Sequence, residues 1–204
     1  MNAKIDVSNV VLETNRLILR AWKPSDLDDF YEYAKVEEAG KMAGWKPHES
    51  KGDSMKILQM FIEEKKTFAI VHKPSGKVIG SLGIEKYGSE DELTEFFAYQ
   101  GREIGYVLSK DYWGQGLMPE AVRTVIDYLF NVLDYDFLLC GYFPFNKQSK
   151  RVQEKCGFTP YRECLFRSGD GSSRPVILNL LTNPKKNIEF RFSHPETLLI
   201  KQGA

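Results

Sequence analysis

The sequence predicts an α/β fold, with seven strand signals and four helix signals interleaved along 204 residues. Three stretches carry that reading. The run from Arg102 to Leu133, REIGYVLSKDYWGQGLMPEAVRTVIDYLFNVL, is a short aromatic and β-branched strand, a tight glycine turn and a long amphipathic helix. Lys73-Pro74-Ser75-Gly76 parts two apolar runs and signals a hairpin. Asn146–Cys156 is a short polar helix that opens on a capping residue and is closed by Gly157. A chain of this length fits one domain and can bury a full core.

Taken in order, Met1–Leu12 shows no clear element, and Arg16–Trp22 alternates as the first strand. Ser25 or Asp26 is placed to cap a helix that runs to about Ala34, with Leu27, Phe30, Tyr31 and Ala34 on one face. Gly40–Ser50 reads as a loop, and Asp53–Lys66 as a second helix with Met55, Leu58 and Ile62 at helical spacing. Thr67–His72 and Lys77–Glu85 are the hairpin strands, and Gly88–Glu95 is an acidic loop around Glu90-Asp91-Glu92. Glu103–Ser109 is the strand before the glycine turn. The helix after it buries a stripe of Met118, Ala121, Val122, Val125, Ile126, Leu129, Phe130 and Leu133, and Pro119 sits in its first turn. Phe137–Phe145 is the next strand. Phe158–Arg167 and Pro175–Leu181 form a last antiparallel pair around a Gly-Asp-Gly-Ser-Ser turn. The expected boundaries are a leader at 1–12, a domain at 13–183 and a polar tail at 184–204 with Phe190 and Phe192.

Lys and Arg total 28 and so do Asp and Glu. A balanced charge argues against a general nucleic-acid surface, which needs a basic field. No apolar run approaches the roughly 20 residues of a membrane span, and MNAKIDVSN has no signal-peptide core. The expected setting is cytoplasmic. Cys140, Cys156 and Cys164 are odd in number and lack a C-x-x-C pair, so they read as reduced thiols packed as small hydrophobes. His48, His72 and His194 are scattered, so no metal is expected.

Trp113-Gly114-Gln115-Gly116 carries the chemistry. Two glycines let a ligand approach the backbone, and the helix that follows offers amides without internal partners to an anion. A Rossmann site needs a third glycine where Pro119 stands, and a P-loop needs a Gly-Lys-Ser/Thr ending that is missing. The pyrophosphate of coenzyme A and a plain strand-to-helix turn are the remaining readings.

GYVLSKDYWGQGLMPEA resembles the acetyl-coenzyme A motif of the GNAT superfamily of N-acetyltransferases, Q/R-x-x-G-x-G/A, and is most like its RimJ/RimL-type ribosomal-protein branch. Asn146 to Phe158 resembles that branch's N-x-x-S-x-R-x-x-E-K-x-G-F block, and Glu13 to Arg20 its first strand. The resemblance implies the GNAT fold, a mixed, mostly antiparallel seven-stranded sheet with four helices on its two faces. It implies acetyl-coenzyme A as co-substrate. Val107 and Leu108 would offer main-chain groups to the pantetheine arm in a splay beside the fourth strand, and Gly114, Gln115, Gly116, Leu117 and Met118 would hold the pyrophosphate. Asn146 matches a pantetheine contact, and is also placed as a plain helix cap.

Acetyl transfer to an amine needs a neutral amine and a proton for the departing thiolate. Glu103 matches a common carboxylate position in the family, as a base acting through a water or as a group that positions the ammonium; a solvent-face strand glutamate or an ion pair with a neighbouring Arg is the bland alternative. Many relatives place a tyrosine acid where Gln153 stands, and Ser149 is the substitute this branch offers, as proton donor or as cofactor contact. Trp45, Tyr87, Phe97 and Tyr99 flank the acceptor groove in the family, with packing an equal reading, and Glu120 reads as a first-turn acid suited to the helix dipole. An α-amino group titrates about 2.5 units below lysine, roughly 3.4 kcal/mol of deprotonation work, which favours an α-amine acceptor. The expected partner is therefore a ribosomal or other protein N-terminus, or a small amine, taken by a monomer or homodimer. A non-catalytic acyl-coenzyme A sensor and a nucleotide-binding module of another fold are the alternatives.

Overall fold

The computed structural model describes residues 1–88, 93–167, 173–188 and 198–201, and its elements sort into two units. The acidic stretch at 90–92, most of the turn at 169–173, and Phe190, Phe192 and His194 of the tail lie outside the described residues.

The first unit comprises Ile5–Ile84 and Gly105–Val125. It holds β1 (Val11–Glu13), β2 (Leu17–Ala21), α1 (Leu27–Ala34), α2 (Glu37–Ala43), α3 (Lys51–Glu64), β3 (Thr67–His72) and nearly all of β4 (Val78–Glu85). The second half of β5 (Gly101–Leu108) and the start of α4 (Leu117–Asn131) also belong to it. Strands β1 to β4 pair antiparallel in chain order, with Leu17 opposite His72 and Ala21 opposite Phe68. Gly80 lets β5 come close: a Cβ there would lie 2.3 Å from the Val107 carbonyl oxygen. Helices α1 and α3 bury Phe30, Tyr33, Ala34 and Leu58 with Trp22, Ala69, Val71 and Val78. Each large apolar side chain fully removed from water contributes about 1.5–3 kcal/mol. Ser50 and Asp53 start α3 with reciprocal side-chain bonds to each other's backbone amides, at 3.2 and 3.0 Å.

The second unit comprises Met1–Lys4, Glu85–Ile104 and Ile126–Ala204. It contains the first half of β5, the end of α4, β6 (Phe137–Tyr142), α5 (Lys147–Lys155), β7 (Thr159–Arg167), β8 (Ser173–Thr182) and β9 (Leu198–Lys201). The strand order is β5-β6-β8-β7-β9. The β5–β6 and β7–β9 pairs are parallel, and the other two are antiparallel. Phe96 stacks on Phe137 at 4.3 Å, within a core that includes Tyr87, Leu93, Leu139, Cys164 and Leu178. The first residues dock here: Ala3 donates to the Gly101 carbonyl at 3.1 Å, and its own carbonyl accepts from Arg102 Nε at 2.6 Å.

Among the described residues there are nine strands and five α-helices, against an expected seven and four. Strand β1 is an exposed edge of three residues, too short for an alternating pattern to register. Helix α2 replaces part of the expected loop; its signals were the acidic first turn Glu37-Glu38 and Gly44, which closes it at φ 85°. Asp26 does not cap α1 with its side chain; its carboxylate is held by the Arg20 guanidinium through bonds of 2.7 and 2.8 Å.

Candidate functional site

The first unit holds the glycine turn. Gly114 and Gly116 both have φ of 74°, a conformation costly for any residue with a Cβ. Helix α4 makes its first backbone bond from Glu120 N–H to the Gly116 carbonyl at 3.3 Å, so the amides of Leu117 and Met118 precede the intrahelical ladder. Arg16, from β2's approach, fastens this turn. Its Nη1 donates to the Gln115 carbonyl at 3.0 Å, and its Nε donates to Glu120 at 2.8 Å. Glu120 also accepts from the Thr14 hydroxyl and from the Arg16 backbone amide. Burial pushes the Glu120 carboxyl up, but the Thr14 and Arg16 bonds outweigh it and hold the carboxyl below its ordinary range. Glu120, expected as a simple first-turn acid, is therefore the anchor of a brace across the turn.

Beside the brace lies a cleft of about 450 Å³ lined by Thr14, Asn15, Arg16, Gly116, Glu120 and Arg123. Bare glycine backbone, a helix start and two guanidiniums fit a pyrophosphate, while a Cβ on Gly116 would point toward the Arg16 guanidinium, 3.8 Å away. The Leu108 carbonyl already accepts the Trp113 indole N–H at 2.8 Å.

The second unit holds the expected acid and base. Parallel pairing of β5 with β6 begins at Gly101–Phe137 and ends, among the described residues, at Glu103–Leu139. Strand β6 continues to Tyr142, and the side chain of Glu103 turns to its edge. The Gly141 N–H donates to the Glu103 carboxyl, and a Cβ on Gly141 would come within 3.4 Å of Oε1. Glu103 keeps part of its surface at solvent, yet burial pushes its pKa up to about 7; the Glu85 carboxylate adds to the rise and the Gly141 bond lowers it only in part. A carboxyl poised there exchanges protons near neutral pH.

Helix α5 supplies the other groups. Asn146 is 7% exposed and caps it, its Oδ1 accepting from the Ser149 amide at 2.9 Å. Ser149 is half-buried, and its Oγ accepts from Gln153 Nε2 at 3.2 Å. Gln153 Nε2 also donates to the Gly141 carbonyl at 3.1 Å. Gly141 thus binds Glu103 through its N–H and Gln153 through its carbonyl. Asn146, Ser149 and Gln153 recur at three and four residues, one helix face that the sequence displayed; Gly141 and Glu85 carried no local signal.

The remaining expectations sort simply. Tyr87 is 1% exposed in the core, Trp45 and Tyr99 pack at the edges of the two cores, and Phe97 is 66% exposed. His48 bonds the Ser54 hydroxyl at 2.7 Å, and His72 the Ser75 hydroxyl at 3.0 Å. Cys140 and Cys164 are buried thiols. Among the described residues no group of three or more His, Cys, Asp or Glu is placed to hold a metal, and no helix is long and apolar enough to cross a membrane.

The model of the acetyltransferase (GNAT) domain matches residues 16–159, well over half of the chain. An uncharacterized N-acetyltransferase of Bacillus licheniformis, p20, is 29% identical over 172 residues, covering 81% of this chain and 90% of its own length. A second, YoaA of Bacillus subtilis, is 25% identical over 167 residues, covering 78% and 90%. A GNAT-family acetyltransferase from Bacillus anthracis superposes with a TM-score of 0.71 at 19% identity, over 85% of this chain and 99% of that one. The ribosomal-protein-S5-alanine acetyltransferase of Vibrio fischeri gives 0.66 at 23% identity, over 86% and 98%. The microcin C7 self-immunity acetyltransferase, solved with acetyl-coenzyme A and AMP, gives 0.65 at 16%, over 83% and 93%. These structural likenesses establish a shared mixed α/β fold.

Proposed function

Because the chain belongs to the GNAT acetyltransferase family and is an acetyl-coenzyme A-dependent acetyltransferase, we propose that it acetylates a primary amine by direct attack in a ternary complex. The acceptor is an α-amine, at a protein N-terminus or on a small molecule. The observation that carries this reading is Glu103, a carboxyl held by the Gly141 N–H with its pKa pushed up to about 7 by burial. An α-ammonium at about 7.7–8.0 lies within about one unit of that base, whereas lysine at about 10.4 lies far above it. The Vibrio fischeri relative, named for an alanine of a ribosomal protein, supports the same class, as does the RimJ/RimL-like motif of this chain.

Acetyl-coenzyme A supplies the acetyl group as a thioester. The amides of Gly114 to Met118, with Arg16, hold its pyrophosphate. Val107 and Leu108 offer backbone groups to its pantetheine arm, and Asn146 and Ser149 add side-chain contacts. Glu103 takes the proton from the acceptor ammonium, directly or through a water, so that the nitrogen lone pair can form the new C–N bond. As the C–S bond breaks, the Ser149 hydroxyl holds a proton toward the departing sulfur. The enzyme works in the cytoplasm as a monomer or homodimer.

Thiol release from acetyl-coenzyme A tests this against peptides with free N-termini, small α-amines, Nα-blocked lysine peptides, polyamines and aminoglycosides. Release with the α-amine peptides or small α-amines, and little with Nα-blocked lysine peptides, is expected. Preference for a lysine side chain overturns the acceptor class. Silence across the panel, with acetyl-coenzyme A still raising the melting temperature, overturns these acceptor classes and leaves an acceptor outside the panel or a non-catalytic sensor.

A further inference from the structure

Gln153 is fully buried. Its Nε2 has two protons and two acceptors, the Gly141 carbonyl and the Ser149 hydroxyl oxygen. Its Oε1 is buried without a hydrogen-bond partner among the described residues. An acceptor left unmet in the interior is unfavourable, and methionine would remove it only by leaving the Gly141 carbonyl without the Gln153 donor. The unmet Oε1 invites an account beyond packing.

The geometry supplies one. The N–H and carbonyl of a strand residue face the same edge, and at Gly141 the N–H is taken by Glu103 and the carbonyl by Gln153. Parallel pairing with β5 has ended two residues earlier, at Leu139. A hydroxyl accepts through lone pairs and donates its one proton. When Gln153 donates to Ser149 Oγ, the Ser149 proton is turned away from Gln153. We propose that Gln153 is a positioning residue for acetyl transfer. It pins the Ser149 hydroxyl to the β6 edge at the residue that also holds Glu103, and sets the direction of the hydroxyl proton. This rests on the roles given above to Ser149 and Glu103.

The test is a double-mutant cycle of Gln153→Met and Ser149→Ala, measuring thiol release with the responding amine and with water alone. Gln153→Met is expected to lower kcat about tenfold, part of the range of an oriented general acid, with KM for acetyl-coenzyme A unchanged. In the Ser149→Ala background it should cost nothing further, because both changes remove one unit. Gln153→Glu alters one atom, reverses the hydrogen bond so that Ser149 must donate, and should lower kcat more than Gln153→Met does. Melting temperature and its rise with acetyl-coenzyme A verify that each variant is folded. A costly Ser149→Ala beside a silent Gln153→Met, or losses that multiply in the double variant, overturn the inference alone. A silent Ser149→Ala overturns the role of Ser149 and the inference with it.

Discussion

The glycine turn and the Glu103–Ser149 group are built by opposite means. The turn is local: six consecutive residues, Trp113 to Met118, form it from backbone, and one distant residue, Arg16, fastens it through its own bond to Gln115 and through nearby Glu120. The acid–base group draws on β4, β5, β6 and α5, and none of its members adjoin in sequence. In the proposed reaction the first binds by displaying amides, which any anion of the right size can read. The second would work through one tuned carboxyl, whose raised pKa depends on burial, a neighbouring charge and one backbone donor. Substitutions in the turn should therefore act on cofactor affinity, and substitutions in the group on turnover.

The sharpest separation should come from Gly116→Trp. The position has φ of 74° and faces the cleft, so an indole both strains the backbone and fills the cradle. Affinity for acetyl-coenzyme A should drop at least about a hundredfold, or about 2.8 kcal/mol, by titration calorimetry. Intact binding would move the pyrophosphate elsewhere.

Glu103→Gln should do the reverse, lowering kcat about a hundredfold with little change in cofactor affinity. The wild-type rate should rise as pH passes about 7, and the variant should lack that limb. Stability shifts the other way. A carboxyl whose pKa is raised on folding binds more protons folded than unfolded between its ordinary range and about 7. Wild-type stability therefore falls as pH rises through that window. Glu103→Gln should melt above wild type at pH 8, and the difference should vanish below the ordinary carboxylate range. A variant no more stable than wild type at pH 8 would mean that Glu103 titrates like an exposed glutamate.

The same contrast explains what could be read from the chain itself. The turn was legible because its determinants are adjacent: two glycines, a helix stripe and Pro119. Glu103 and Ser149 were legible only through family resemblance, since nothing near a glutamate in sequence announces that its pKa will be raised. Glu85 and Gly141, which tune it, meet it only through strand register. Gln153 stood in plain view as the place of a missing tyrosine, but its bonds to Gly141 and Ser149 require the packing of α5 on β6. Of the fold, the long amphipathic helices and the hairpin were clear from period and turn chemistry. The short β1 and α2 were not, because three to seven residues give too few repeats of either period.

A smaller effect tests the brace. Arg16→Ala removes a donor from the Gln115 carbonyl and a cation from the cleft. KM for acetyl-coenzyme A should rise about three- to tenfold, as expected for one charge-assisted contact of about 1 kcal/mol or slightly more, with kcat kept. A fall in kcat at unchanged KM would erase the division between the two groups.

The smallest effect concerns Glu120, whose bonds to Thr14 and Arg16 hold its carboxyl low against burial. A carboxyl depressed on folding stabilises the protein above its unfolded pKa, and that contribution is lost as pH falls through the folded value. The Arg16 side chain is 43% exposed and that of Glu120 21%, so solvent screens the pair and its contribution stays within about 1 kcal/mol. Glu120→Gln should therefore melt about 1–3 °C below wild type at pH 7. The gap should narrow as both are acidified below the ordinary carboxylate range, because the wild-type carboxyl then takes up its proton and loses the same ion pair. A gap that persists unchanged at low pH would mean that Glu120 fastens the turn through shape and neutral hydrogen bonds. Charge would then matter only in the acid–base group of Glu103.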